Sequence, residues 1–179
     1  MDKTYSIIVA GFGGQGIQFA GKQLALTGMY LNKKVTYIPS YGAEMRGGTS
    51  NCTVKISDGE IGSPVIPNPD ALIAMTLPSY IKFHGVIAKG GSLFCDSSLV
   101  GEKSDRKDIS RYYIPATEIA YEHDMPRSAN VIMLGKLIRE TKIFTMDDLV
   151  MSMEKSIPES RKKLLDANIK ALKLGYDYK

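Results

Sequence analysis

Two short stretches hold the residues whose types and spacing could do chemistry. The first is Gly11-Phe12-Gly13-Gly14-Gln15-Gly16, a G-x-G-x-x-G run with an extra glycine at Gly14. Between a strand and a helix, such a turn presents backbone N–H groups at a helix N-terminus and suits an anion. Gln15 adds a side-chain amide. The second stretch is Tyr41-Gly42-Ala43-Glu44-Met45-Arg46-Gly47-Gly48. Arg46 stays positive at any working pH and can fork onto a phosphate or carboxylate. Glu44 can orient it, and Gly47 and Gly48 let backbone approach a ligand. The candidate cofactor-binding set is therefore Gly11, Gly13, Gly14, Gln15, Gly16, Tyr41, Glu44, Arg46, Gly47 and Gly48. Two plainer readings stand beside it. The glycines also serve a tight strand-to-helix turn, and Glu44 and Arg46 could pair only with each other.

A dinucleotide site would need one more group. That fingerprint calls for an acidic residue about 20 residues on, at the end of the second strand, to hold a ribose hydroxyl. Pro39, Ser40 and Tyr41 stand there, and the first acid is Glu44. Other chemistry is missing too. No catalytic set of acid, base and nucleophile is visible. His84 and His123 are isolated, and no G-K-[ST] or G-x-S-x-G occurs. Asp147-Asp148 reads as helix-end stabilisation. Cys52 and Cys95 lie far apart, form no C-x-x-C, and alone could hold neither an iron–sulfur cluster nor a structural zinc. Buried free thiols are expected, and no metal site.

The elements that must position these residues follow from periodicity. Ile7, Ile8 and Val9 form a short apolar run, as in a strand buried on both faces. Ile17, Ala20, Gly21, Leu24, Gly28 and Leu31 share one side of the helix that follows. Three of those six are Ala or Gly, which lets the helix lie close to a sheet. A second strand spans residues 35–38, stopped by Pro39. Residues 50–57 alternate, with Cys52, Val54 and Ile56 on the buried face. Asp58-Gly59 predicts a tight turn, with residues 60–66 returning as an antiparallel partner. Further strands are expected at 70–75, 92–96 and 111–114. Helices are expected after Thr76, from 117, from Arg127 to Thr141, and through the C-terminal third. Thr145/Asp148 and Ser156/Glu159 read as capping boxes.

The fold class is thus α/β: a Rossmann-like three-layer sandwich, mostly parallel with one antiparallel hairpin. The two loops should leave the C-terminal ends of adjacent parallel strands, the edge where open α/β sheets bind ligands. At 179 residues and 44% hydrophobic content the chain fits a single domain, 1–179. The net charge of +4, with lysines and acids interleaved near the C-terminus, argues for a solvated helix face and against nucleic acid. No apolar run could span a membrane. MDKTYS leads straight into the first strand, so a cytoplasmic protein without a signal peptide is expected.

Taken together, four pieces resemble the gamma subunit of the 2-oxoacid:ferredoxin oxidoreductases. They are G-x-G-G-Q-G-I at residues 11–17, Y-G-A-E-M-R-G-G-T-S-N-C-x-V-x-I-S at 41–57, I-x-S-P at 61–64 and A-N-x-x-x-L-G at 129–135. The resemblance covers most of the chain and implies a gamma-type domain. It also implies assembly with alpha and beta subunits, often a ferredoxin-like delta subunit, and ferredoxin as acceptor. Thiamine diphosphate and iron–sulfur clusters would sit elsewhere in the complex. Coenzyme A would be the acyl acceptor, and no cofactor would be held by this chain alone. The wording of residues 41–48 resembles the 2-oxoglutarate branch; the pyruvate and 2-ketoisovalerate branches share much of it. The candidate set would face coenzyme A or the neighbouring thiamine site. The isolated chain would be inactive and would self-associate as a homodimer through surface meant for partners. An independent Rossmann-like nucleotide-binding module, such as a small reductase, is the alternative.

Overall fold

The computed structural model describes residues 3–41 and 49–179, Tyr41 by its backbone alone. The strands are β1 (Thr4–Phe12), β2 (Lys34–Tyr41), β3 (Thr49–Ser57), β4 (Ala71–Ala74), β5 (Ser92–Asp96) and β6 (Ser110–Ile114). The helices are α1 (Ile17–Tyr30), α2 (Leu77–Phe83), α3 (Ala116–Glu122), α4 (Ala129–Thr141), α5 (Met146–Ser156) and α6 (Lys162–Asp177). One six-stranded sheet runs in the order β2-β3-β1-β4-β5-β6. β1, β4, β5 and β6 are parallel, and β3 pairs antiparallel with both β1 and β2.

Alternation along each strand decides the layers. Ile7, Val9, Val54, Ile73 and Phe94 enter the larger core with helices α1, α3, α4, α5 and α6. Ile8, Leu72, Leu93 and Cys95 enter the smaller core under Tyr80 of α2. α1 does lie close to the sheet. A methyl on Gly21 would strike Cys52, and one on Gly28 would stand 2.8 Å from Val35.

Two expectations about the antiparallel part are corrected. Residues 60–66 form no strand, because β1 and β2 already occupy both sides of β3. Pro64 also removes a backbone donor from that stretch, and Pro67 and Pro69 follow it. The antiparallel hairpin is β2–β3. Consequently β1 and β2 run in the same direction without being neighbours; β3 holds them about 10 Å apart. Nor does Pro39 end β2, which continues to Tyr41. An edge strand tolerates a proline.

The Thr145/Asp148 capping box forms, with Thr145 Oγ1 accepting from Asp148 N and Asp148 Oδ2 from Thr145 N. The Ser156/Glu159 box does not. Ser156 turns inward instead, its Oγ accepting from Gln23 Nε2 at 3.0 Å, and α6 starts from Arg161 without a side-chain cap. Among the described residues no helix is long and apolar enough to cross a membrane.

Candidate functional site

The glycine turn is built as a strand end folding into a helix. β1 ends at Phe12, and Gly14 (φ 99°) and Gly16 (φ 74°) take left-handed conformations that favour glycine. Gly16 sits at the N-cap of α1. No side chain among the described residues caps that helix, and its first turn holds no acid. Its leading N–H groups therefore remain open to an anion.

Gln15 acts inside the turn. Its Oε1 accepts from Phe12 N at 2.7 Å and its Nε2 donates to Met75 O at 3.3 Å, across to the end of β4. Gly11 is buried within β1, and a methyl there would run into Gln15 Oε1 and Ile17. Gly13 is half-buried and Gly14 exposed. Glu44, Arg46, Gly47 and Gly48 lie outside the described residues, as does the Tyr41 side chain.

Asn130, near the start of α4, braces the turn from behind. Its Nδ2 donates to Gly16 O at 3.0 Å, and a methyl on Gly16 would stand 2.5 Å from that nitrogen. Asn130 is 3% exposed, and its Oδ1 has no hydrogen-bond partner among the described residues.

The turn opens onto a crevice of about 300 Å³ at the C-terminal edge of the sheet. Gly14, Gln15 and Met75 line one side; Leu99, Thr117, Tyr121 and Arg127 line the other. Fully buried Asp96, at the end of β5, fixes that second wall. Its carboxylate accepts from Thr117 Oγ1 at 2.6 Å and from Ser98 N at 3.1 Å. Arg127 is exposed and has no ion pair among the described residues. The arrangement can hold an anion between the α1 N-terminus and a guanidinium, with Leu99 and the Tyr121 ring offering apolar cover.

Leu99, Thr117, Tyr121 and Arg127 were not singled out by sequence reasoning, which followed only the loops after β1 and β2. The signal was the edge rule itself. Every parallel strand delivers a loop to this edge, so the segments after β4, β5 and β6 reach it as well as the turn after β1.

Acid–base chemistry is thin here. His84 stacks on Tyr80 and bonds to Ser104 Oγ at 2.7 Å, well away from this crevice. Burial, and then Arg106, hold its imidazole below the usual range. No group of three or more His, Cys, Asp or Glu among the described residues could hold a metal ion. Cys52 and Cys95 are buried free thiols. They enter different cores on opposite faces of the sheet, with β1 and β4 between their strands. They do not fit a common iron–sulfur cluster.

The chain is 37% identical over 174 residues to the 2-oxoglutarate synthase subunit KorC of Methanocaldococcus jannaschii, covering 96% of this chain and 91% of that one. It is 34% identical over 170 residues to the ketoisovalerate oxidoreductase subunit VorA of Methanothermobacter marburgensis. That match takes in 95% of this chain, which spans only 35% of VorA's length. Among solved structures, the keto/oxoacid ferredoxin oxidoreductase gamma subunit of Geobacter sulfurreducens PCA superposes with a TM-score of 0.81 at 28% identity. The superposition covers 97% of this chain and 96% of that one. The model of the pyruvate ferredoxin/flavodoxin oxidoreductase family matches residues 6–178, and the chain belongs to that family.

Proposed function

We propose that this chain is the gamma subunit of a multi-subunit 2-oxoacid:ferredoxin oxidoreductase. With alpha and beta subunits, and a ferredoxin-like delta subunit where one is present, it works in the cytoplasm on 2-oxoglutarate. The products are an acyl-CoA, carbon dioxide and reduced ferredoxin. The near end-to-end match to a 2-oxoglutarate synthase subunit supports the choice of oxoacid. Thiamine diphosphate and the iron–sulfur clusters belong to other subunits in this reading, since the cysteines here fit no cluster.

The observation that carries the role of this chain is the crevice itself. It has an open helix N-terminus and a guanidinium, and no nucleophile–base pair among the described residues. It fits the phosphate-bearing part of coenzyme A, whose thiol accepts the acyl group in the complex. Gly13, Gly14 and Gly16 offer backbone, and Arg127 offers charge. By residue type, Arg46 of the β2–β3 connection is a second candidate cation, and Tyr41, Glu44, Gly47 and Gly48 stay in the candidate set. Gln15 holds the turn in shape.

The test uses the reconstituted complex with Arg127→Ala and, separately, Arg46→Ala. Loss of a charge-assisted contact to phosphate removes roughly 1.5–3 kcal/mol, so the KM for coenzyme A should rise at least about tenfold with assembly intact. Variants that assemble and turn over as the parent does, across coenzyme A concentrations, would refute the coenzyme A role.

A further inference from the structure

Away from the crevice, the outer face of α1 meets the α5–α6 junction in a second groove, of about 220 Å³. Its apolar lining residues are Phe19, Leu26, Ile157, Pro158 and Leu164; Lys22 and Arg161 line it too. Leu164 is 45% exposed. The floor is already rigid. Gln23, 2% exposed, donates from Nε2 to Ser156 Oγ at 3.0 Å and accepts from Ser152 Oγ at 3.3 Å, fastening α1 to α5. An occupant would not have to order it, which lowers the cost of binding.

Charge distinguishes this groove from an ordinary apolar dimple. Lys22, Lys155, Arg161, Lys162 and Lys163 lie in or beside it along the chain, and the nearby acids are Glu154 and Glu159. None of the seven makes an ion pair among the described residues. Lys155 instead lies over the Tyr30 ring, 4.8 Å from its centroid. The groove is also smaller than the ~300–1,000 Å³ of small-molecule sites, and suits one bulky side chain of a peptide segment.

We infer that this groove docks an acidic segment of a partner subunit, which inserts one aliphatic side chain over Leu26 and Leu164 and sets carboxylates against Lys22 and Arg161. The inference rests on the reading that the chain works inside an assembly. Two lining cations, Lys22 and Arg161, with no ion pair among the described residues, beside a preformed apolar pocket, are complementary to such a segment in charge and in shape.

The experiment measures binding of this chain to the purified remaining subunits of the oxidoreductase. Parent and the double variant Lys22→Glu/Arg161→Glu are compared at low and moderate salt. Both substituted residues are exposed, and an unchanged melting curve checks the fold. The Kd should rise at least tenfold in the variant, and the parent's salt dependence should largely vanish. Carbodiimide coupling of the parent complex should join Lys22 to an Asp or Glu of a partner subunit. A parent that binds while the variant binds equally well overturns the groove alone. A parent that binds no subunit overturns the assembly reading and the groove with it. Loss in the variant of self-association, or of binding to phosphatidylserine vesicles, with subunit binding unchanged, also overturns the inference.

Discussion

Cys52 and Cys95 show how burial sets the chemistry of a residue. Burial, the largest cause at each, pushes both thiols from 9.0 up to about 12. Cys52 Sγ also donates to Ile17 O at 3.6 Å. Thiolates are therefore scarce in the folded chain, and an aromatic disulfide reagent should find no reactive thiol until the chain is unfolded, when both should react. The same shift has a sign in stability. The unfolded chain releases these protons near pH 9 while the folded chain keeps them to about 12, so folding stability should fall with rising pH across that window. Urea titrations below and within it check this; an unchanged midpoint would contradict it. Gln15 teaches a different lesson at the same scale. Its type and place in the glycine run were legible, but the direction of its amide was not, because that depends on Met75, sixty residues on.

Periodicity made most elements readable before any coordinates: the apolar run of β1, the alternation of β3, the one-sided helix α1. What it could not show was strand order. β3 sits between β1 and β2, and nothing local in SNCTVKIS says which strands flank it. The α4–α6 contact was hidden for a similar reason. Gly135 falls on the predicted face of α4, but its partner Gly175 has no local signal. A methyl on Gly175 would enter the backbone carbonyl of Ile132, and one on Gly135 that of Leu172. Neither neighbour is a flexible side-chain tip, so the helices would have to separate. Overpacking of this kind costs roughly 1–3 kcal/mol. For a chain of this size, Gly175→Ala should lower the Tm by about 3–10 °C. A melting temperature equal to the parent's would show that α6 can shift without loss. At the site, the turn after β1 was legible from its glycines, whereas Arg127 was not, since an arginine ahead of a helix is ordinary on a surface.

At the scale of the whole molecule, the function proposed above gives this chain a binding role and leaves the chemistry to other subunits. Purified alone, it should oxidise no 2-oxoacid, even with thiamine diphosphate, coenzyme A and ferredoxin supplied. The same assay with the full complex should restore turnover. Activity of the isolated chain at a rate near the complex's would overturn the division of labour proposed above.

One further consequence lies in where α4 carries the two ends of the chain. Lys3, at the foot of β1, lines a small cleft with Thr141 and Lys142. Near the other end, Lys136 Nζ donates to Tyr178 O at 2.9 Å and Arg139 to Tyr176 O. These anchor points span residues 136–142, about 9 Å along a helix axis. α4 begins at the glycine turn, through Asn130, and these anchors lie in its later turns, away from the crevice. A polypeptide joined at either end would therefore depart from beside the later turns of α4, the end away from the glycine turn. Neighbouring entry and exit points are the geometry that tolerates such joining. VorA, of which this chain spans only 35%, is longer than this unit.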